Sequence, residues 1–283
     1  MLADPRAWRR FRRNPGALAG AVLVVVVVAA ALLGPLASPY DPNLQHQDGL
    51  TDLGVPLGPS ARYLLGTDQL GRDELSRLLH GGFASLTVAF FASAVAVAVG
   101  FSVGLVAGYA RGPVDALAMR LIDYVLSLPF LLVAIALNRV VNAPSLFSLA
   151  LLLGLLSWTR LARVTRAKTL QVRELEFVEA ARALGLPHAR ILVRHILPNV
   201  LGPAIVIGST LIAQMIIVES AMSFLGLGVR PPTASWGSML RAAIDHRGHA
   251  PQLLYLPGLL IVVTVFGFNL LGEGLRDAFD PKE

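Results

Sequence analysis

Two acidic residues stand inside otherwise apolar runs, Asp123 in IDYVLSLPF and Glu219 in IIVESAMSF, so the first question is what chemistry they could do. An intramembrane aspartyl protease needs two aspartates at one depth sharing a proton, and Asp123 is the only aspartate in an apolar window. A zinc hydrolase needs H-E-x-x-H on a helix, and none of the six histidines is followed by Glu. A serine hydrolase needs a histidine base at membrane depth. His46, His80, His246 and His249 fall in polar stretches on one side, and His188 and His195 in a polar stretch on the other. The chain has no cysteine, which removes thiol and disulfide chemistry. A phosphate-cradling loop needs G-x-x-x-x-G-K-[ST]. The only Lys before Ser or Thr is Lys168, with no glycine in the eight residues preceding it. The residues therefore read as non-catalytic, with no metal site and no cofactor of their own. Energy has to come from another subunit or from an ion gradient. Asp123 and Glu219 as ion-carrying groups of a secondary transporter form the alternative, although no internal repeat accompanies them.

The elements that position these residues are membrane spans. Of 283 residues 55% are hydrophobic and 15% charged, too little charge for the surface of a soluble domain. A bilayer core of about 30 Å takes about 20 apolar residues per helix. Ala17–Leu36, Leu86–Tyr109, Leu201–Phe224 and Leu253–Leu271 meet that length. Leu121–Leu156 is too long for one span and divides near Arg139–Ala143, giving six in an all-α, polytopic chain. Pro129 is expected to kink the third span, because it lacks an N–H. Gly100, Gly104 and Gly108, four apart, form a small-residue ridge that suits either a fit within the chain or a contact with another subunit. Trp158 and Trp236 read as interfacial anchors.

Arg6, Arg9, Arg10, Arg12 and Arg13 precede the first span, which is as long as a full crossing and has no Ala-x-Ala site after it, so an uncleaved anchor is expected. With the N-terminus inside, most of the 24 lysines and arginines fall on the inner side. The net charge of +6 then reflects loops, not nucleic-acid binding. The organisation that follows is a basic N-terminus and anchor (1–36), an outside loop with an interfacial helix from Asp73 (37–83), a core of five spans (84–272) holding a cytoplasmic loop (160–199), and a cytoplasmic tail (273–283).

That loop has a plan. Residues 169–184 carry a helical pattern, with Leu170, Phe177, Ala181 and Leu184 on one side. Gly185 suits the left-handed residue after a helix, Pro187 the first position of a second helix, and Pro198 its end. Ala180 and Ala181, small residues by the turn, would let a partner approach the backbone. A solvated amphipathic loop lying on the anionic leaflet is the plainer reading.

Glu179-Ala180-Ala181, three residues, Gly185, and then Leu197-Pro198 resemble the EAA loop of permease subunits of bacterial ABC importers. Where that pattern usually has isoleucine two residues before the leucine, His195 stands here, and the ending His195–Asn199 is similar to the peptide-type branch. Leu64–Gly81, Ser223–Leu240 and RRFRRNPGALAG resemble the second (C-type) permease of dipeptide and oligopeptide importers. The resemblance implies a type I importer permease fold in a bacterial cytoplasmic membrane, with both termini cytoplasmic. It implies a second homologous permease, two cytoplasmic ATPase subunits that bind the ATP, and an extracytoplasmic peptide-binding protein. Glu179, Ala180, Ala181, Gly185, Leu197 and Pro198 would couple to the ATPase, while Asp123, Pro129 and Glu219 would belong to the path or gate. Related members carry nickel or glutathione instead of peptides.

Overall fold

The computed structural model describes residues 5–140 and 145–279, and among these the regular elements are all helices. Helix α1 (Pro5–Arg13) is short and cationic. Asn14 ends it and caps α2 (Pro15–Ala37), its Oδ1 accepting from Ala17 N–H at 3.2 Å while its Nδ2 donates to Asp277 at 3.0 Å. A side-chain oxygen on an otherwise orphaned first-turn amide is what a helix start requires. Phe11 packs beside Ala17 and Ala278, so the N-terminus sits against the end of the last helix.

The second long helix, α3, runs unbroken from Glu74 to Ala110. The amphipathic stretch expected as a separate interfacial helix is its first turns. Asp73 caps it through Ser76 N–H at 2.8 Å. Nothing breaks it at Gly81-Gly82, because those glycines receive other groups: a Cβ on Gly82 would lie 2.8 Å from the Trp236 ring. The preceding loop is folded rather than slack. Thr67 donates to Gly49 O at 2.5 Å, and Tyr40, His46 and Tyr63 form an aromatic cluster. Burial and the hydrogen bond to Asp48 raise the Tyr63 hydroxyl above the usual tyrosine range.

Asp68 holds this loop to α3. Its carboxylate accepts from Arg72 at 2.6 Å and lies 3.1 Å from Arg77, with all three side chains buried. Removing one member of such a group leaves buried charge without compensation, which costs about 3–5 kcal/mol. Asp68→Ala is therefore expected to lower the detergent-solubilised chain's thermal midpoint by many degrees; an unchanged midpoint would remove the loop's role as an anchor.

Two helix pairs are bent. α4 (Gly112–Ser127) and α5 (Phe130–Val140) meet at 90°. Proline forces the residue before it into extended backbone, and Leu128 takes φ −87°, ψ 138°. α6 (Leu146–Ser157) and α7 (Thr159–Arg173) meet at 45° across Trp158. Ser157 Oγ donates to Leu153 O at 2.7 Å, the back-bonding that bends helices. With α2, α3, the returning helix ending at Phe224 and the last helix, the described residues hold four unbroken candidate spans, or up to six if each bent pair counts as one. The expected division at Arg139–Ala143 lies partly outside the described residues; helix persists to Val140.

The returning helix α10 (Leu197–Phe224) and the last helix α12 (Gln252–Phe279) pack on each other, α12 on α2, and α10 on α3. α12 carries helix beyond the expected start of the tail at residue 273; residues 280–283, with Lys282, lie outside the described part. A short helix, α11 (Trp236–Ala243), lies against α3, α10 and α12. Trp236 is buried, its indole N–H donating to Leu78 O at 3.1 Å, and Trp158 is also buried. Neither is an interfacial anchor. Their rings fill packing space between helices, a use that composition cannot separate from a belt position.

Candidate functional site

The polar loop folds into a hairpin at the end of α3. α7 stops at Arg173, earlier than the expected helix over 169–184, and α8 spans Glu176–Ala183. No proline or glycine causes the break. Arg173 donates to Tyr109 O, and Arg111 at the end of α3 pairs with Glu174, so the chain is pulled out of helix where it crosses α3.

α8 ends in a Schellman turn. Gly185 has φ +75°, its N–H bonds Arg182 O at 2.9 Å, and Leu186 N–H bonds Ala181 O at 3.2 Å. A Cβ on Gly185 would meet nothing within 4 Å, so backbone sign rather than space calls for glycine. Pro187 caps the short helix α9 (His188–Ile191) instead of opening it. His188 Nδ1 lies 2.7 Å from Tyr109 Oη, a second tie to α3.

Pro198 does not end the return leg. A π-helical turn over Leu192–Ile196 runs directly into α10, Leu197 N–H reaching Leu192 O and Asn199 Nδ2 donating to His195 O at 2.7 Å. A proline lacks an N–H and clashes with the carbonyl four residues back. The wider turn carries the backbone past the proline, so hairpin and span stay continuous.

Inside the hairpin Val178, Ala181, Ile191 and Ile196 pack with Leu105, Val172 and Val200. The two alanines therefore separate. Ala181 is buried, while Ala180 lies on the open face with Glu179, Ala183 and Leu184. Leu184 is 80% exposed and Phe177 42%, leaving an apolar tip on a rigid base.

A second feature sits between the bent pairs. A cavity of about 390 Å³ is lined by Leu126, Leu128 and Phe130 around the α4–α5 bend, Ser157 and Arg160 around the α6–α7 bend, and Gln214 and Met215 of α10.

The family described as binding-protein-dependent transport system inner membrane component matches residues 100–283. The chain belongs to this family. The N-terminal TM domain of oligopeptide transport permease C matches residues 6–56. The chain is 40% identical to the di/tripeptide transport system permease protein DppC of Pseudomonas aeruginosa (strain UCBPP-PA14), over 97% of this chain and 91% of that protein. It is 38% identical to the dipeptide transport system permease protein DppC of Bacillus subtilis (98% and 85%) and 38% identical to the glutathione transport system permease protein GsiD of Pectobacterium atrosepticum (97% and 90%). A chain of the MetNI methionine ABC transporter, solved in inward-facing conformations, superposes with a TM-score of 0.58 at 18% identity, covering 71% of this chain and 96% of that one. The fold is that of an ABC importer permease, a multi-pass protein of the inner membrane.

Within this permease the expected path residues do not gather. Pro129 makes the bend beside the cavity, and its neighbours Leu128 and Phe130 line it. Asp123 is largely exposed and pairs with Arg163, not with Arg120 as its spacing would allow. Glu219 is fully buried and lines no part of the cavity. Ser223 Oγ donates to its Oε1 at 2.6 Å and accepts from Val229 N–H at 3.0 Å, so Glu219 fastens the segment after α10 to the helix end. Its carboxyl group thus sits in a serine-rich packing knot away from the cavity. Arg160 and Gln214 escaped the sequence reading. The signal available for Arg160 was its spacing, three residues before Arg163 and six before Arg166.

Proposed function

We propose that the chain is one of two permease subunits of an ATP-driven importer that carries dipeptides or oligopeptides through a bacterial cytoplasmic membrane. The observation that carries this is the hairpin: a compact unit fixed to α3, α7 and α10, with Ala180 and Leu184 on an open apolar tip. Such a unit can pass a partner's movement into the spans as a rigid body. A second homologous permease would complete the path. Two cytoplasmic ATPase subunits would bind and hydrolyse the ATP and grip the hairpin, and an extracytoplasmic binding protein would deliver the peptide. The termini and the hairpin would then face the cytoplasm. Similarity to di/tripeptide permeases over 97% of the chain supports the cargo class. Glutathione, itself a tripeptide, is the second cargo, favoured by the 38% identity to a glutathione permease.

The test is reconstitution. Proteoliposomes holding the chain with its partner permease, ATPases and binding protein are expected to take up labelled dipeptide only with ATP, and a parallel assay with labelled glutathione ranks the two cargoes. Uptake by the chain alone, driven by a proton or sodium gradient, would overturn the assignment.

A further inference from the structure

α7 carries three arginines on one face, Arg160, Arg163 and Arg166, and α4 runs beside it in the opposite direction. Arg166 takes Asp115 with two bonds of 2.5 and 2.6 Å, and Arg163 takes Asp123. Each step down in α7 numbering meets a higher number on α4. The next rung, Arg160, falls opposite the stretch where α4 breaks at Leu128-Pro129. From Tyr124 to Val140 there is no acidic residue. Among the described residues Arg160 has neither an ion pair nor a side-chain hydrogen bond, and its side chain stands exposed in the cavity between the bends. Gln214, from the middle of α10, is exposed into the same cavity. Much of the remaining wall is aliphatic or aromatic.

An unpaired guanidinium on a broken span is costly unless it faces water or a partner anion. Its planar fork matches a carboxylate with two parallel bonds. A cavity of about 390 Å³ falls at the small end of ligand sites, which run about 300–1,000 Å³. We propose that Arg160 receives the C-terminal carboxylate of the passing peptide, as the third rung of the arginine ladder, with Gln214 offered to the peptide amide and the apolar wall to its side chains. This rests on the peptide-importer reading. It adds that the permease itself holds its cargo by the one charged group every unmodified linear peptide carries at its C-terminus.

The absence of cysteine from the chain makes a single reporter, Ser157→Cys, specific within it. In the complete purified importer without ATP, maleimide labelling of that cysteine is timed in the presence of dialanine, N-acetyl-dialanine or dialanine amide. Loss of a charge-assisted pair is worth about tenfold or more in the concentration needed. Dialanine and its N-acetyl form are expected to slow labelling, and the amide to need about ten times the concentration for the same effect. Adding Arg160→Gln should raise dialanine to the amide's level, with Arg160→Lys between. Equal protection by the amide, protection undiminished in Arg160→Gln, or no protection by any of the three compounds would each overturn the site. The two proposals fail separately. A wild-type importer that takes up no dipeptide in proteoliposomes defeats the cargo assignment, even where carboxylates still protect the cysteine.

Discussion

Leu184→Glu is expected to leave the permease folded and abolish its hold on the ATPase subunits. Leu184 is the last residue before the glycine turn, with φ −73° and ψ 0°, a backbone any residue accepts. It is 80% exposed and lies outside the cluster that closes the hairpin. Folding therefore gains little from it. A carboxylate desolvated in an interface without a partner costs several kcal/mol, and each 1.4 kcal/mol is tenfold in an equilibrium. Co-purification with the ATPase subunits should fall about a hundredfold, and peptide uptake with it, while the variant's yield and thermal midpoint stay at the wild-type values. Ala180→Glu, on the same face, should act alike. Ala181→Glu is the contrasting control. That side chain packs against the Leu105, Val178 and Ile196 cluster, so the chain itself should be lost before any interface is tested. Wild-type recovery of ATPase subunits with Leu184→Glu would move the coupling contact elsewhere.

The hairpin shows how much was legible. Gly185 could be assigned its left-handed turn because only glycine takes that backbone freely, and no tertiary fact is needed to see it. Four of the six spans were equally plain, since an apolar run of sufficient length has one economical fate in lipid. Pro198 misled for the same local reason. Its missing N–H normally ends a helix, and here the π turn carries the return leg past it. The break at Glu174 was hidden because its cause lies on another helix, at Tyr109 and Arg111. Which alanine faces out depends on where α8 rests against Leu105, again a fact of packing. Glu219 was legible as an acid inside an apolar run, but its bond to Ser223, one turn on, was not, because other hydroxyls stood equally near in the sequence. Arg160 became visible only when α4 was seen to break opposite it.

Gly104→Leu should damage the chain severely, and the way it fails separates two uses of the glycine ridge. A Cβ at Gly100 would lie 2.5 Å from Trp158 O, at Gly104 closer still to Ala162 O, and at Gly108 2.7 Å from Thr169 Cβ. Two of these three nearest atoms belong to backbone carbonyls at the start of α7, which cannot rotate away like a side chain. α3 and α7 thus touch through their main chains along this ridge, and close approach is what small residues permit in lipid. Even alanine at Gly104 forces the helices apart, and overpacking by extra methylene groups typically costs about 1–3 kcal/mol. Leucine adds a branched side chain for which no space exists. Displacing α7 also moves the arginine ladder at one end and the hairpin at the other, so destabilisation and loss of coupling should arrive together. The chain alone, purified in detergent without any partner, is the object to measure. Its yield and thermal midpoint should fall progressively from wild type through Gly104→Ala to Gly104→Leu. A Gly104→Leu chain that melts like wild type by itself, yet fails to assemble with a second permease, would place the ridge at a subunit contact and rule out main-chain packing between α3 and α7.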